Sequence, residues 1–273
     1  MMCSIDMDNN QIEALRRKEL QILLEIDRIC KKRKISYQLA FGTLIGAVRH
    51  QGFIPWDDDI DVAMERKEYE RFKLACKEEL SSSFFYQSND TDPEYYHLVD
   101  KIRMNDTVFK EKYIARWNIH HGVYVDIFPF DNVPTNAILR KMHFLHFHFF
   151  RVGLMSKYFV SNERKGVKKY LSYIAKIIYA PFSLDFLYRR AVKVASKYRK
   201  QRKYVFNLYD SITVNSLLEY AWIKDTEQVL FEKHLFPAPK HYDAVLRTIY
   251  GDYNTLPPES DRVPQHIIEE LKL

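Results

Sequence analysis

The segment from Phe41 to Met64 reads FGTLIGAVRHQGFIPWDDDIDVAM and sets four aspartates beside an apolar run. The four are Asp57, Asp58, Asp59 and Asp61. Carboxylates packed so closely repel one another, so a fold can hold them only with a cation among them or with some hydrated or protonated. Magnesium prefers one or two carboxylates together with substrate phosphates. The segment therefore predicts a fold with a cation site here, and it points to a phosphate-handling enzyme.

Two of these aspartates have the spacing of metal ligands on a strand. Alternate strand residues point to the same face, so Asp59 and Asp61 converge while Ile60 faces the core. A third carboxylate could come from the later run YVDIF, in which Asp126 stands alone between apolar residues. Burying such an acid is costly unless it binds a cation or accepts hydrogen bonds. The alternative is a hydrated loop of carboxylates that caps a helix.

A possible phosphate site lies upstream, at the turn formed by Gly42 and Thr43. The amides at the start of the following helix could hold a phosphate, although a Gly-Thr turn is more often a simple cap. Arg49, Lys101 and Arg103 are candidate phosphate contacts, because a cation near the scissile group offsets developing charge. For each of the three, a surface ion pair is an equally good interpretation.

Histidines near these segments are weaker candidates. His120 and His121 precede the strand that carries Asp126, and either could touch a substrate, but a structural role is favoured for both. His97 and His266 carry still less signal.

Three aromatic residues, Trp56, Tyr95 and Tyr96, could contribute to a cage for a quaternary ammonium group. Packing in the core or in a loop is the favoured role, because aromatic side chains bury large areas.

Composition excludes several classes of protein. The chain has 273 residues, of which 47% are hydrophobic, so a sizeable core can form. The three cysteines are widely spaced and lack a CxxC pair, which argues against a disulfide framework or a structural zinc site. The first residues are polar and acidic rather than signal-like, and no uncharged apolar run reaches the length of a membrane span. We expect a cytoplasmic protein.

The periodicity of apolar residues predicts an α+β core. Helices are expected over 10–34, 43–50 and 66–80, and strands over 36–41, 60–64, 84–87, 99–104 and 124–128, with 51–58 as a loop. A catalytic core over 1–135 would then be followed by a basic, aromatic helical insert over 136–206. Residues 207–273 are expected to form more helix and an extended tail that packs on the core.

The insert is strongly basic. Residues 140–203 contain 17 Lys and Arg but only Glu163 and Asp185 as acids, so the rest of the chain is net acidic. Such a surface could lie on anionic lipid, bind a polyanionic polymer, or be a helical lobe with a hydrated cationic face. The last interpretation is favoured, with membrane contact next.

The order of these motifs resembles the nucleotidyltransferase superfamily, whose fold is of the DNA polymerase β type. More narrowly, GTLIGAVRHQGFIPWDDDIDV followed by YVDIFPFD is similar to the LicD family, relatives of fukutin. The tail FPAPKHYDAVLRTIYGDYNTLPP is also similar to that family, so the resemblance covers most of the chain. It implies a mixed sheet flanked by helices.

The resemblance also implies a reaction. LicD-type enzymes transfer a phospho-alcohol, typically phosphocholine, from a CDP-linked donor to a sugar hydroxyl of a surface glycan, with magnesium or manganese bound. Carried over to this chain, Asp59, Asp61 and Asp126 would be catalytic metal ligands and Asp57 would support them, whereas Asp58 would face solvent. The donor would be contacted by Gly42, Thr43, Arg49, Lys101, Arg103 and His121.

Two other functions remain open at this stage. The same carboxylates could serve a nucleotidyltransferase that moves NMP from an NTP to a small molecule or an RNA end. A non-catalytic nucleic-acid binding protein that uses the basic insert is the third possibility. Its carboxylates would repel phosphates in the absence of a metal, so no nucleic-acid partner is expected.

Overall fold

The computed structural model describes residues 7–158, 167–209, 217–264 and 266–273. The helices are α1 (Asn9–Arg33), α2 (Phe41–His50), α3 (Arg66–Glu79), α4 (Ala137–Tyr158), α5 (Val167–Tyr179), α6 (Leu184–Ala195), α7 (Tyr220–Ile223) and α8 (Tyr242–Tyr250). The strands are β1 (Gln38–Leu39), β2 (Asp61–Glu65), β3 (Phe84–Gln87), β4 (Asp100–Met104), β5 (Val108–Glu111), β6 (Tyr124–Val133), β7 (Tyr204–Phe206), β8 (Leu218–Glu219), β9 (Thr226–Phe231), β10 (His234–Pro239) and β11 (Ile268–Lys272).

A seven-stranded mixed sheet organises the molecule. Its order is β1-β2-β6-β4-β3, and β7 and β8 extend it from the far half of β6. The β2 and β6 strands run parallel, whereas the other pairs are antiparallel. Asp126 on β6 lies opposite Asp61 on one side and Lys101 on the other. The register of three strands therefore sets two acids and one base side by side.

Helix α1 begins with a reciprocal cap. The backbone amide of Gln11 donates to the Asp8 carboxylate (2.8 Å), and the Asp8 amide donates to the Gln11 side chain (3.0 Å). The helix ends where Lys34 adopts a left-handed conformation, with φ of 51°. Its apolar stripe, which includes the fully buried Leu15, Ile22 and Ile26, packs in the core with the sheet.

A second apolar core lies under the basic region. It joins α4 and α6 to the end of β6 and to β7, with Phe147 and Leu187 fully buried. The guanidinium of Arg66 donates to the Asp131 carboxylate at 2.9 and 2.7 Å, which pairs a buried cation with a buried anion between the sheet and α3.

The α+β class expected from the sequence is confirmed. The helix expected over 10–34 and the strand over 84–87 are present, and the strand expected over 124–128 continues to Val133. The strand expected over 36–41 is only two residues long, because α2 already begins at Phe41.

The C-terminal part holds more strand than expected. Residues 226–239 form the β9–β10 hairpin, whose turn places Glu232 and Lys233 at positive φ. The tail ends in β11, which pairs with β5. The β7 strand, inside the basic region, belongs to the large sheet. The division of the chain into three parts stays a prediction.

Candidate active site

A cavity of about 600 Å³ lies where α2, the loop before β2, the β4 and β6 strands, α4 and the C-terminal segment meet. Its polar wall is formed by Asp57, Asp59, Asp61, Lys101, Glu111, Asp126, Arg49, Arg151, Asp252 and His266. Each of these elements comes from a different part of the chain, so the cavity forms only in the folded protein.

The three aspartates predicted to bind metal meet in this cavity. Oxygen atoms of Asp59, Asp61 and Asp126 lie within 4.8 Å of one another. Asp57, Asp58 and Asp59 form a second such group, so Asp59 belongs to both. The predicted convergence is therefore present, while the role of each carboxylate stays a prediction.

Backbone contacts fix the positions of these carboxylates. The Thr43 hydroxyl accepts a hydrogen bond from the Asp61 amide at 2.8 Å, and the Asp126 amide donates to the Ile60 carbonyl at 3.0 Å. Thr43 is buried. Its hydroxyl thus holds the start of β2 in place, a role that the sequence did not suggest.

Gly42 lies directly against Asp57. A Cβ atom built on Gly42 would come within 2.7 Å of the Asp57 Oδ2 atom, so a larger residue would displace that carboxylate. The preceding residue, Phe41, has a φ of 48°, which is rare for an aromatic residue. Edge contacts of its ring with Phe128 and Phe130, at centroid distances of 4.9 and 6.3 Å, accompany this conformation. The close approach of the Asp57 carboxylate explains why glycine occupies position 42.

Burial and mutual repulsion raise the proton affinity of this cluster. Burial, then the charges of Asp59 and Asp58, raise the pKa of Asp57 to about 8. Burial also raises the pKa of Asp59 to about 6, although His266 opposes the shift. A bound cation would reverse the sign of these effects.

Lys101 is the cation nearest to the three aspartates. Its Nζ atom lies 2.6 Å from the Asp126 Oδ1 atom and 3.3 Å from the centroid of the Tyr124 ring. Only 3% of the residue is exposed. Burial disfavours the Glu111 carboxylate, yet Lys101 and His266 outweigh burial and hold the pKa of Glu111 at about 2. Lys101 thus places its ammonium group in the cavity wall.

The other predicted donor contacts separate into two sets. Gly42 and Arg49 line the cavity from one face of α2, and Arg49 also donates to the Tyr253 carbonyl at 2.5 Å. Arg103 is fully buried and donates to the Gln87 side chain and to the Gly122 carbonyl, so it supports the sheet below the cavity.

His121 also lies outside the cavity wall. Its Nε2 atom is 3.1 Å from the Trp117 carbonyl, and burial lowers the pKa of its ring. Among the described residues, neither Arg103 nor His121 lines the cavity. The contact between these two residues and the donor therefore gains no support from the geometry.

The expectation that Asp58 faces solvent is wrong. The residue is only 2% exposed, and its Oδ1 atom lies 3.0 Å from the His266 Nδ1 atom. Burial opposes the charged ring, but the hydrogen bond to Asp58 and the nearby Asp59 and Glu111 raise the pKa of His266 to about 10. The partners are 208 positions apart in sequence, so no local pattern could reveal the pair.

Two residues of α1 also shape the site. Glu19 is 2% exposed, and burial followed by the charges of Asp59 and Asp58 raises its pKa well above the usual value. In the sequence, the position of Glu19 between Leu15 and Ile22 on the apolar stripe of α1 was the signal that this acid is buried. Arg16 donates from one nitrogen, at 2.9 Å each, to the carbonyls of Ile54, Pro55 and Asp57. It thereby holds the loop that carries the aspartates.

Of the three aromatic candidates, one is buried in the core and two line the cavity. Tyr95 is fully buried and donates to the Val99 carbonyl at 2.7 Å, which fits the favoured packing role. Trp56 and Tyr96 line the cavity. The Arg262 guanidinium lies 5.6 Å from the centroid of the Trp56 ring.

The donor set fits a divalent cation. Three carboxylates supply oxygen atoms within 4.8 Å of one another, which is the ligand type that magnesium and manganese prefer. Asp59, Asp61 and Asp126 would hold the ion. Burial is the largest cause of the raised pKa values of Asp57 and Asp59, and a bound cation would favour their charged forms.

Comparisons with known proteins identify the family of the chain. Residues 34–164 match the family model for the LicD/FKTN/FKRP nucleotidyltransferase domain. Lipopolysaccharide cholinephosphotransferase LicD of Haemophilus influenzae is 32% identical over 94% of this chain and 97% of its own length. An uncharacterized protein of Rickettsia typhi, RT0683, is 40% identical over 19% of this chain and 17% of its own length. The near full-length match shows that the chain belongs to the LicD family.

Proposed function

We propose that this protein is a phosphotransferase that moves phosphocholine from CDP-choline to a sugar hydroxyl of a cell-surface glycan. The observation that carries the proposal is the meeting of Asp59, Asp61 and Asp126 beside Lys101 in one cavity. The similarity to a cholinephosphotransferase over almost the whole chain supports the choice of transferred group. Within the α+β class, we propose that the mixed sheet has the nucleotidyltransferase fold.

In the proposed reaction the sugar oxygen attacks the phosphorus atom of phosphocholine. The new oxygen–phosphorus bond forms as the bond to CMP breaks, and the hydroxyl proton passes to a carboxylate, for which Asp126 is the candidate. Magnesium, when bound, would neutralise phosphate charge and favour ionisation of the hydroxyl. Transfer of this kind depends mainly on in-line positioning and charge neutralisation.

Residues around the metal ligands would position the donor. Phe41 and Gly42 in the first turn of α2 line the cavity together with Arg49, and the start of a helix beside a guanidinium suits a diphosphate. The Lys101 ammonium would offset charge on the leaving CMP. Trp56 and Tyr96 present aromatic surface in the same cavity, which suits a quaternary ammonium group.

We also propose that the enzyme works in the cytoplasm, at the inner face of the membrane. A glycan assembled on a lipid would then be within reach. Among the helices that the structure describes, none is both long and apolar enough to cross a bilayer.

The experiment is an assay of purified protein with CDP-choline and a glycan acceptor, with magnesium or with EDTA. We expect CMP release that requires both the acceptor and the metal. Parallel reactions with labelled NTPs test NMP transfer, which would release pyrophosphate. Pyrophosphate release without choline transfer would refute the proposal.

A further inference from the structure

The outer face of α4 carries an apolar stripe that is largely exposed. Large exposed side chains recur along it at spacings of four and three residues: Ile138, Met142, Leu145, Phe149 and Val152. The buried residues His143, Phe147, Phe150 and Leu154 follow the same period on the opposite face. The helix is therefore apolar on two sides, and only one of them is used by the core.

Helix α5 repeats the pattern. Its exposed apolar residues are Tyr170, Tyr173, Ile174, Ile177 and Ile178, and Ile177 is 74% exposed. Their spacing marks one continuous face. Of the 18 large apolar side chains that are exposed among the described residues, 12 lie between 138 and 186. This concentration exceeds the scattered apolar residues that a soluble surface normally shows.

Contacts between the middle of α4 and the end of α5 hold the two helices against each other. The Phe149 ring on α4 lies 5.2 Å from the Tyr179 ring at the end of α5, and 6.5 Å from the Phe182 ring. A Cβ atom on Gly153 would meet the Tyr179 ring at 2.5 Å, so glycine allows this close packing of the helices. We call the exposed faces of α4 and α5 together the apolar platform.

The charge around the apolar platform has one sign. Neither α4 nor α5 contains an acidic residue, whereas together they contain seven Lys and Arg. Lys141 and Lys176 are exposed beside the stripes. Apolar residues flanked by cations, without acids, match the interface of an anionic bilayer and suit an acidic or neutral protein surface less well.

We propose that the apolar platform docks on an anionic membrane, with its apolar side chains in the interfacial region and its cations on the lipid headgroups. The same helix connects this surface to the cavity, since Arg151 and Met155 of α4 line the cavity wall beside Val152 of the stripe. Docking would hold the cavity beside the bilayer, where a lipid-linked glycan could enter. That last step rests on the proposed function, whereas membrane binding does not.

The test measures binding to vesicles of phosphatidylcholine with and without about a third of phosphatidylglycerol. We expect the wild-type protein to bind anionic vesicles at least about tenfold more tightly than neutral ones. The double variant Ile174→Glu/Ile177→Glu should lose about tenfold or more of this binding. Lys176→Glu should weaken binding to anionic vesicles only.

The control is Leu74→Glu/Leu235→Glu, which places the same charges on exposed apolar residues outside the apolar platform. It should bind vesicles like the wild type, and circular dichroism should show all variants folded. CMP release with a water-soluble acceptor should be unchanged in every variant, so loss of vesicle binding and loss of chemistry are distinguishable. Equal vesicle binding by Ile174→Glu/Ile177→Glu and the wild type would overturn the proposal. The proposal would also be overturned if the wild-type protein bound no vesicles but formed a dimer in solution that Ile174→Glu/Ile177→Glu converts to monomers.

Discussion

Asp59 is the residue on which the electrostatics of the site converge. It shares one close group with Asp61 and Asp126 and another with Asp57 and Asp58. The first group faces Lys101, whereas the second is tied through Asp58 to His266. Lys101 and His266 thus flank the aspartate cluster. A metal ion would neutralise the negative charge that remains on the aspartates between them.

Changing any one of the three converging aspartates to asparagine should abolish turnover. Asp59→Asn, Asp61→Asn and Asp126→Asn each remove the carboxylate of a proposed metal ligand while preserving its shape. We expect activity to fall by at least about 1,000-fold, the scale on which one strongly stabilising group contributes to catalysis. Circular dichroism should show native folding, and calorimetry should show weakened magnesium binding. Asp106→Asn, at an exposed position, is the control, and full activity in all three variants would contradict the assignment.

Asp58 and His266 should stabilise the fold as a pair. Loss of a buried hydrogen bond between charged groups costs about 1.5–3 kcal/mol. Asp58→Asn and His266→Gln should each lower the free energy of unfolding by about that amount, and the double variant should cost less than the sum of the two. Urea unfolding measures all three.

The matched control for the histidine is His234→Gln, at an exposed position on β10. It should leave the free energy of unfolding unchanged within about 0.5 kcal/mol. Strict additivity of Asp58→Asn and His266→Gln would show that the pair does not interact.

At the scale of elements, the loop before β2 is held by α1 as well as by its own hydrogen bond, which the Asp57 amide donates to the Ile54 carbonyl at 2.9 Å. Arg16 on α1 reaches three of its carbonyls, and its guanidinium lies 5.1 Å from the centroid of the Phe53 ring. A helix in the core thereby sets the position of the aspartates. Substrate positioning of this kind is sensitive to small displacements.

Arg16→Ala should loosen this loop. Loss of its contacts should lower the free energy of unfolding by about 1–3 kcal/mol and should also weaken magnesium binding. The neighbouring Arg17→Ala is the control, because Arg17 is largely exposed and pairs only with the exposed Glu13 at 3.7 Å among the described contacts. Equal effects of the two changes on thermal unfolding and on calorimetric metal binding would refute the role of Arg16.

The elements that the sequence predicts well are those with a strong local signal. Helix α1 has an apolar stripe and a basic end, and Asp126 stands alone in a run of β-branched and aromatic residues, so both elements are found close to their observed positions. The β9–β10 hairpin lies in residues 207–273, for which the sequence predicted helix followed by an extended tail. Its turn places Glu232 and Lys233 at positive φ, and no glycine or asparagine marks that turn in the sequence. Helix α2 begins at Phe41 because tertiary contacts stabilise a backbone conformation that local propensity disfavours.

At the scale of the whole molecule, the sequence did not predict the part of the site whose residues lie farthest apart along the chain, the pair of Asp58 and His266. The sequence predicts the convergence of the aspartates from their spacing and from the apolar run around Asp126. The structure achieves it by pairing β2 with β6, and Asp59 lies two residues before β2. The tail that returns His266 to Asp58 is positioned by β11 pairing with β5, which depends on the complete fold. Partners of that kind leave no spacing signal in a single sequence.

Proton and metal binding should together set the stability of the whole protein. The pKa of Asp57 is about 8 in the folded chain against an ordinary value of 3.8, and that of Asp59 is about 6. At pH values between the ordinary pKa and the raised pKa of each aspartate, the folded state retains a proton that the unfolded chain has released. Without metal, the stability of the protein should therefore fall as the pH rises from 5 to 8. The raised pKa of His266 acts in the same direction above its ordinary value of 6.5.

Magnesium should reverse this trend, because it binds the ionised carboxylates and its affinity increases with pH. Thermal unfolding measured from pH 5 to 8, with EDTA or with magnesium, should show two curves that diverge as the pH rises. Asp57→Asn removes the group with the larger shift and should flatten the EDTA curve, whereas the exposed Asp106→Asn should leave it unchanged. Parallel curves with and without magnesium would mean that the cluster binds no divalent cation, and the metal would then have to be withdrawn from the proposed reaction.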